Sequence, residues 1–328
     1  MLNKFLIIQT ASIGDVILAT PLIEKLHLFY PEAQIDVLVR KGNQDLFLNH
    51  PFIRNILIWN KIKHKKRNFL WTLYDIRKNH YDAVINLQRF FSTGILAAFS
   101  GAKLRIGFNK NPLSLCFTSK IPHVFHEGIH EIDRNLNLIK ELTDDTRIKP
   151  KIYPSNTDFK NVSNYTKSVY YTISPGSIYP TKHYPSKKWV EFISQINKDV
   201  TIIFLGSEAD NQNINKIIRL SGHPKSINMA GHLSFLESAA VMKNAKMNFT
   251  NDSAPMHLAS AVNAPVTAIF LSTIPAFGFG PLSDQSYIVE NTKKLKCRPC
   301  GLHGLKSCPK GHFKCAYDID VSQLTEHL

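Results

Sequence analysis

A chain of 328 residues is long enough for about two domains, and its 44% hydrophobic content lets each half bury a core of ordinary size. With 40 Lys and Arg against 25 Asp and Glu, the net charge of +15 favours anionic partners: nucleic acid, phosphorylated substrates or an anionic membrane surface. No run approaches the roughly 18 apolar residues that span a membrane. The N-terminus has Lys4 but no long apolar stretch with a small-residue cleavage site, so the expectation is a cytoplasmic protein without a secretory signal.

In chain order, FLIIQ (5–9) reads as a buried strand, and TASIGDVILATP (10–21) leads from it into a helical pattern over 15–29. Asp15 thus stands directly after Gly14 where strand hands over to helix. Two readings of it stay open. An acid in a first turn interacts favourably with the helix dipole, with Ser12 as a cap. An acid at the carboxyl end of a parallel strand also stands where open α/β sheets place their chemistry. IDVLVR (35–40), NILIW (55–59) and YDAVINL (81–87) are further strands, and NFLWTLYDIRKN (68–79) and STGILAAFSGA (92–102) read as helices. The basic run KIKHKKR (61–67) reads as a solvated loop. No recognised nucleic-acid module accompanies it, so no nucleic-acid partner is expected. HEIDRNLNLIKEL (130–142) is an amphipathic helix with Ile132, Leu136 and Ile139 on one stripe. The polar segment after it carries prolines and little periodicity, which places a boundary near residue 160: one domain over 1–160 and a second over 161–328.

The second half repeats the alternation. YYTISPGS (170–177), TIIFLGS (201–207), MNFTND (247–252) and VTAIFL (266–271) are strands, the last closing the series. SKKWVEFISQIN (186–197), ADNQNINKIIRLS (209–221), FLESAAVMKNA (235–245) and SAPMHLASAV (253–262) are helices. Continuous apolar strands alternating with helices specify a parallel sheet covered on both faces. The fold class is therefore α/β, with two Rossmann-like domains facing a ligand cleft.

Four stretches carry candidate chemistry. In NDSAPMHLA (251–259), Asp252 or Ser253 can cap a helix that Pro255 opens, or its free backbone N–H groups can bind a phosphate, with His257 one turn inside. In SPGSIYPTKHYPSKKW (174–189), Lys182 is a cation at the apex of a loop, either solvated or neutralising a diphosphate. In FLGSEAD (204–210), Glu208 is a first-turn acid or a partner of ribose hydroxyls. HEGIH (126–130) matches the spacing of zinc proteases, but Gly128 interrupts it and the strong helical pattern starts only at His130, so no catalytic zinc is expected. Of the five cysteines, Cys116 is alone and four crowd the tail: Cys297, Cys300, Cys308 and Cys315. Four thiols in a short Gly- and Pro-containing loop suit a structural zinc or iron, with His303 and His312 as substitute ligands. Two disulfides or free thiols are the other readings, the first disfavoured in a reducing compartment.

Taken in order, SIGDVILATP, INLQRFFSTGILAAFSGAKLRIGF, HEIDRNLNLI, PGSIYPTKHYP, FLGSEAD, TNDSAPMHLASAVNAPVTAIF and the downstream Gly280-Pro281 resemble glycosyltransferase family 9, the ADP-heptose:lipopolysaccharide heptosyltransferases. A cysteine-rich tail like CRPCGLHG…CPKGHFKC also occurs in that family. The resemblance implies the GT-B fold, with an N-terminal acceptor domain and a C-terminal nucleotide-sugar domain. It implies inverting transfer of heptose from ADP-heptose to a phosphorylated, lipid-linked inner-core acceptor. Asp15 would be the general base beside Gly14, and Lys182 would offset charge on the departing ADP. Asp252, Ser253 and Ala254 would help hold the donor, with Glu208 on the ribose and His257 on the donor side. No catalytic metal is implied, and the setting would be the cytoplasmic face of the inner membrane, where an anionic bilayer suits the charge. One position departs from the pattern: the family usually has glycine where this chain has Ala254, and a methyl there narrows the approach of a phosphate to the backbone. The alternatives are another nucleotide sugar, a protein acceptor, or a non-catalytic nucleotide-binding relative.

Overall fold

The computed structural model describes residues 2–124 and 128–328. The chain forms two units, Met1–Tyr153 and Pro154–Leu328. The first unit contains β1 (Lys4–Ile8), α1 (Ile13–Ile17), α2 (Thr20–Phe29), β2 (Gln34–Arg40), β3 (Ile53–Trp59), α3 (Lys65–Lys78), β4 (Ala83–Asn86), α4 (Phe91–Ala98), β5 (Leu104–Phe108), β6 (Ser119–Ile121) and α5 (Glu131–Asn137). Its strands lie in the order β3-β2-β1-β4-β5-β6, all parallel. The alternation of side chains along β1 sends Leu6 and Ile8 into a core with Ile76 of α3 and Leu96 and Ala97 of α4. It sends Phe5 to the other face, where its ring lies 5.1 Å from Tyr30 at the end of α2.

The second unit contains α6 (Asn156–Val162), β7 (Tyr170–Ser174), α7 (Ser186–Ser194), β8 (Thr201–Phe204), α8 (Asn211–Ser221), β9 (Ser226–Asn228), α9 (Phe235–Asn244), β10 (Met247–Asn251), α10 (Ala254–Ala261), β11 (Val266–Phe270), β12 (Ser286–Glu290), α11 (Lys314–Tyr317) and α12 (Ser322–Thr325). Its order, β12-β11-β10-β7-β8-β9, again parallel, is the same arrangement counted from its own first strand. One core joins Ile173, Phe204 and Phe249 of the sheet to Trp189 and Phe192 of α7, Ile214 and Ile217 of α8, and Cys315, Ala316 and Leu324 of the C-terminal helices. Phe192 and Phe249, both fully buried with rings 4.6 Å apart, each contribute on the order of 1.5–3 kcal/mol by burial.

Both sheets therefore have a switch point where connections leave in opposite directions, at β1/β4 and at β7/β10. Open α/β sheets bind ligands just beyond the carboxyl ends of the strands there.

Several elements differ from the sequence expectation. The single helix over 15–29 is two helices, because Pro21 has no N–H to give Ile17; the Thr20 hydroxyl takes that carbonyl instead at 2.7 Å, and a new helix starts. The helix over 130–142 stops at Asn137 and resumes as one 3-10 turn, Lys140–Leu142. VTAIFL does not close the second sheet, since β12 pairs beyond it, and β5, β6 and β9 are further strands that the sequence reading passed over. The polar stretch after residue 142 contains α6, started by a reciprocal cap in which Ser155 N–H and hydroxyl both bond Asp158 Oδ2 at 2.6 Å. The basic run is only partly loop: Lys65, Lys66 and Arg67 are the first turn of α3.

Candidate active site

In the first unit, the loop leaving β1 carries Asp15 into α1, half-buried, beside buried Gly14. The hydroxyl and the N–H of Ser12 both donate to Asp15 Oδ2, the latter at 3.2 Å. Asp15 thus performs the helix-start role and stands at the switch point at once. Lys61, the first residue of the basic run, turns inward: its Nζ donates to the Thr10 carbonyl (3.0 Å) and hydroxyl (2.9 Å) and lies 4.5 Å from the Trp59 ring centre. Burial lowers its pKa, and Arg40 adds to that.

Charged groups that the sequence reading missed gather at the same edge. Arg89 follows β4, Lys110 follows β5, His123 follows β6, and Glu131 and Arg134 open α5. Arg134 Nε lies 2.8 Å from Glu131 Oε2. Burial raises the pKa of Glu131, Arg134 pulls it down, and the charge of Asp15 pushes it up again, so the two carboxylates share one field. Buried His123 stands edge-on to Phe108 at 4.8 Å; desolvation, then Arg89, Arg134 and Lys110, lower its pKa to about 4. Lys110 and His123 were invisible as strand-end residues while β5 and β6 went unrecognised; Arg89, two residues beyond YDAVINL, offered a signal.

In the second unit, the loops after β7, β10 and β11 converge. Lys182 Nζ lies 2.7 Å from Asp252 Oδ2, which also accepts from Thr273 Oγ1 at 2.5 Å. Asn251 ties the loops together: its Nδ2 donates to the Pro175 carbonyl at 2.6 Å and its Oδ1 accepts from Tyr184 N at 3.2 Å. Ser253 holds the N-cap position of α10, yet its hydroxyl turns back to the Gly176 carbonyl at 3.2 Å. The expected cap by Asp252 or Ser253 is therefore not made: both side chains are engaged within the loops, and no side-chain cap bonds the helix's first N–H groups. Ala254 is the first residue of α10, half-buried, and His257 lies buried one turn in. Glu208 sits exposed on the 3-10 turn after β8, with Asn211 Nδ2 at 3.4 Å from Oε1. That turn is pinned by Asp210, whose Oδ2 accepts from Ser207 N at 2.8 Å, and Asp210 abuts Gly176, where a Cβ would overlap its carboxylate.

The tail cysteines are free thiols. Cys297 Sγ is 3.9 Å from His312 Nε2. Cys315 is buried, and desolvation followed by the neighbouring thiols raises it to about 11. Among the described residues no three His, Cys, Asp or Glu side chains stand in the geometry of a metal centre, so the expected four-thiol site is not assembled in this arrangement. His303 instead stacks on Tyr179. In HEGIH, His126 and Glu127 lie outside the described residues; Gly128 has φ of +88° and His130 caps α5, accepting from Ile132 N at 3.2 Å, so this part of the motif is not helical. Among the described residues no helix is long and apolar enough to cross a membrane.

Two parallel six-stranded units of one strand order, each with charged loops at its switch point, define the GT-B class of glycosyltransferase. Residues 73–304 match the model of glycosyltransferase family 9 (heptosyltransferase), and the chain belongs to that family: it is a glycosyltransferase. It is 27% identical over 279 residues to lipopolysaccharide heptosyltransferase 3 of Escherichia coli, spanning 79% of this chain and 81% of that one. Among solved structures, E. coli ADP-heptose LPS heptosyltransferase II matches with a TM-score of 0.81 at 19% identity, covering 99% of this chain and 97% of the other. E. coli heptosyltransferase WaaC with ADP matches at 0.73 and 17% identity, covering 87% and 92%.

Proposed function

We propose that this enzyme transfers heptose, with inversion, from ADP-heptose to a lipopolysaccharide inner-core acceptor, lipid A–Kdo or a heptosyl extension of it. The observation that carries the reading is the equivalence of the two switch points: Asp15 stands at β1/β4, and the Lys182–Asp252 pair stands at β7/β10. The ADP and ADP-heptose named for similar structures supply the donor.

In this reading Asp15 accepts the proton of the acceptor hydroxyl as its oxygen forms the new bond to the anomeric carbon. Ser12 holds Oδ2, so Oδ1 is the accepting oxygen. The bond from the anomeric carbon to the diphosphate oxygen breaks, and ADP leaves with the electron pair. Lys182 neutralises that oxygen, and the N–H groups at the start of α10 bind the diphosphate. Asp252 holds Lys182 in place, Glu208 takes the ribose and His257 lines the donor side. No step is routed through a divalent cation. Arg89, Lys110 and Arg134 supply positive charge for the acceptor's phosphates.

The enzyme would work as a cytoplasmic protein on the inner face of the inner membrane. Support comes from α3, where Leu70, Trp71 and Tyr74 are 64%, 53% and 56% exposed on one helical face, with Lys63, Lys65, Lys66 and Arg67 before them and Arg77 and Lys78 after. Aromatic side chains between basic clusters suit an anionic interface. For the tail, the donor chemistry of Cys297, Cys300, Cys308 and Cys315 suits a structural zinc or iron.

The test follows ADP release from ADP-heptose with a lipid A–Kdo acceptor. Asp15→Asn is expected to lose turnover by at least a hundredfold while binding ADP like the unaltered protein. Full turnover by Asp15→Asn would remove the base assignment. Ala254 favours the second reading, a nucleotide-binding protein without transfer, which predicts ADP binding and no ADP release in any variant.

A further inference from the structure

The cysteine-rich segment lies against the loop that carries Lys182. Thr181, 3% exposed and directly before Lys182, exchanges three bonds with Leu305. Its N–H donates to the Leu305 carbonyl at 3.2 Å, its hydroxyl donates to the same carbonyl at 3.0 Å, and Leu305 N–H donates back to the hydroxyl at 2.7 Å. Ser272 fills the remaining lone pair at 3.0 Å, so the one donor and two acceptor sites of the hydroxyl are all used. Gly304, with φ of +84°, packs beside it. A Cβ there would stand 3.1 Å from Tyr179 Cβ, 3.2 Å from Thr181 Oγ1 and 3.3 Å from Lys182 Cγ.

The same segment is laced to the loop after β11, whose Thr273 bonds Asp252. Cys300 N–H donates to the Ser272 carbonyl at 2.8 Å, and Arg298 reaches the carbonyls of Leu271 (2.6 Å) and Thr273 (2.9 Å). Thr273 in turn bonds the carboxylate that pairs with Lys182. Residues 298–305 therefore reach the Lys182–Asp252 pair from both sides, Gly304 and Leu305 at Thr181 and Lys182, and Arg298 at Thr273, which bonds Asp252.

We propose that the cysteine-rich segment is a positioning element for the diphosphate site, with Thr181 and Gly304 as positioning residues that set where the Lys182 ammonium stands. The proposal rests on the reading of Lys182 as the cation that meets the donor's diphosphate. Thr181→Val keeps the shape and removes the hydroxyl that Leu305 and Ser272 need; Thr181→Ser keeps the hydroxyl. Gly304→Ala introduces a methyl against the Lys182 stem at a positive φ.

The test is titration of full-length protein with ADP and with adenosine, alongside thermal unfolding. Thr181→Val and Gly304→Ala are each expected to weaken ADP about tenfold and adenosine less than twofold. Thr181→Ser should restore ADP binding to within about twofold. In the Thr181→Val background, Lys182→Ala should cost much less than it does alone. A merely structural role would weaken both ligands together in step with the unfolding midpoint. That outcome, or ADP binding unchanged in both variants, overturns the proposal. If Lys182→Ala itself leaves ADP affinity unchanged, the donor-site reading fails and this proposal with it; if Lys182→Ala weakens ADP and the positioning variants do not, only the positioning role falls.

Discussion

At the scale of single residues, Asp15 combines a helix-start position with a place at the end of β1, and the proposed base role draws on both. The bonds from Ser12 that complete the cap also fix the carboxylate's orientation, which a general base requires. Its neighbour Glu131 was not legible in the sequence, because it looked like an ordinary first-turn acid, and only the fold brings it into the field of Asp15. Glu131→Gln removes that second charge and leaves Arg134 without its carboxylate partner at 2.8 Å. The expected outcome is stability unchanged or slightly raised, measured by urea unfolding, since the burial that raises the pKa of Glu131 outweighs its pairing with Arg134. A loss of about 3–5 kcal/mol would show instead that the pairing with Arg134 outweighs the burial. Ala254→Gly tests the departure from the family pattern: it should tighten ADP several-fold by titration if the methyl crowds the diphosphate, and an unchanged affinity would show that Ala254 is neutral.

At the scale of elements, the buried strands β1, β7, β8 and β11 were legible because burial on both faces leaves a mostly apolar run with no charged residue after the first position. β6, β9 and β12 were not, because each is an edge or short strand with half-exposed residues, whose pairing is decided by neighbours far along the chain. Helix α6 hid in a polar segment because its capping box was overlooked beside its prolines. The Lys182–Asp252 pair was legible residue by residue, yet its connection to the tail was not, since Thr181 and Leu305 are 124 residues apart. Helix α3 makes its own prediction. Replacing Leu70, Trp71 and Tyr74 together by Ser should weaken binding to phosphatidylglycerol vesicles about tenfold or more in a sedimentation assay, with ADP titration unchanged. Equal binding would remove α3 as a membrane contact.

At the scale of the whole molecule, the charge excess is concentrated chemistry as well as solubility. Burial first, and then the charges of Arg89, Arg134 and Lys110, hold His123 at about 4 in the folded chain, against 6.5 when free, so it takes up a proton more readily once unfolded. Its contribution to stability is therefore complete above pH 6.5 and drains away as pH falls towards 4. Unfolding midpoints measured across that window should fall with acid, and His123→Phe should flatten the slope; an unchanged slope would remove His123 as its source. The transfer of heptose can be read directly. The most direct measurement is incubation of the purified enzyme with ADP-heptose and lipid A–Kdo, read by mass spectrometry of the lipid. Heptose transfer predicts a lipid heavier by one heptosyl residue with stoichiometric ADP release, and neither product with Asp15→Asn. An unmodified lipid beside intact ADP-heptose, in protein that binds ADP, would contradict it.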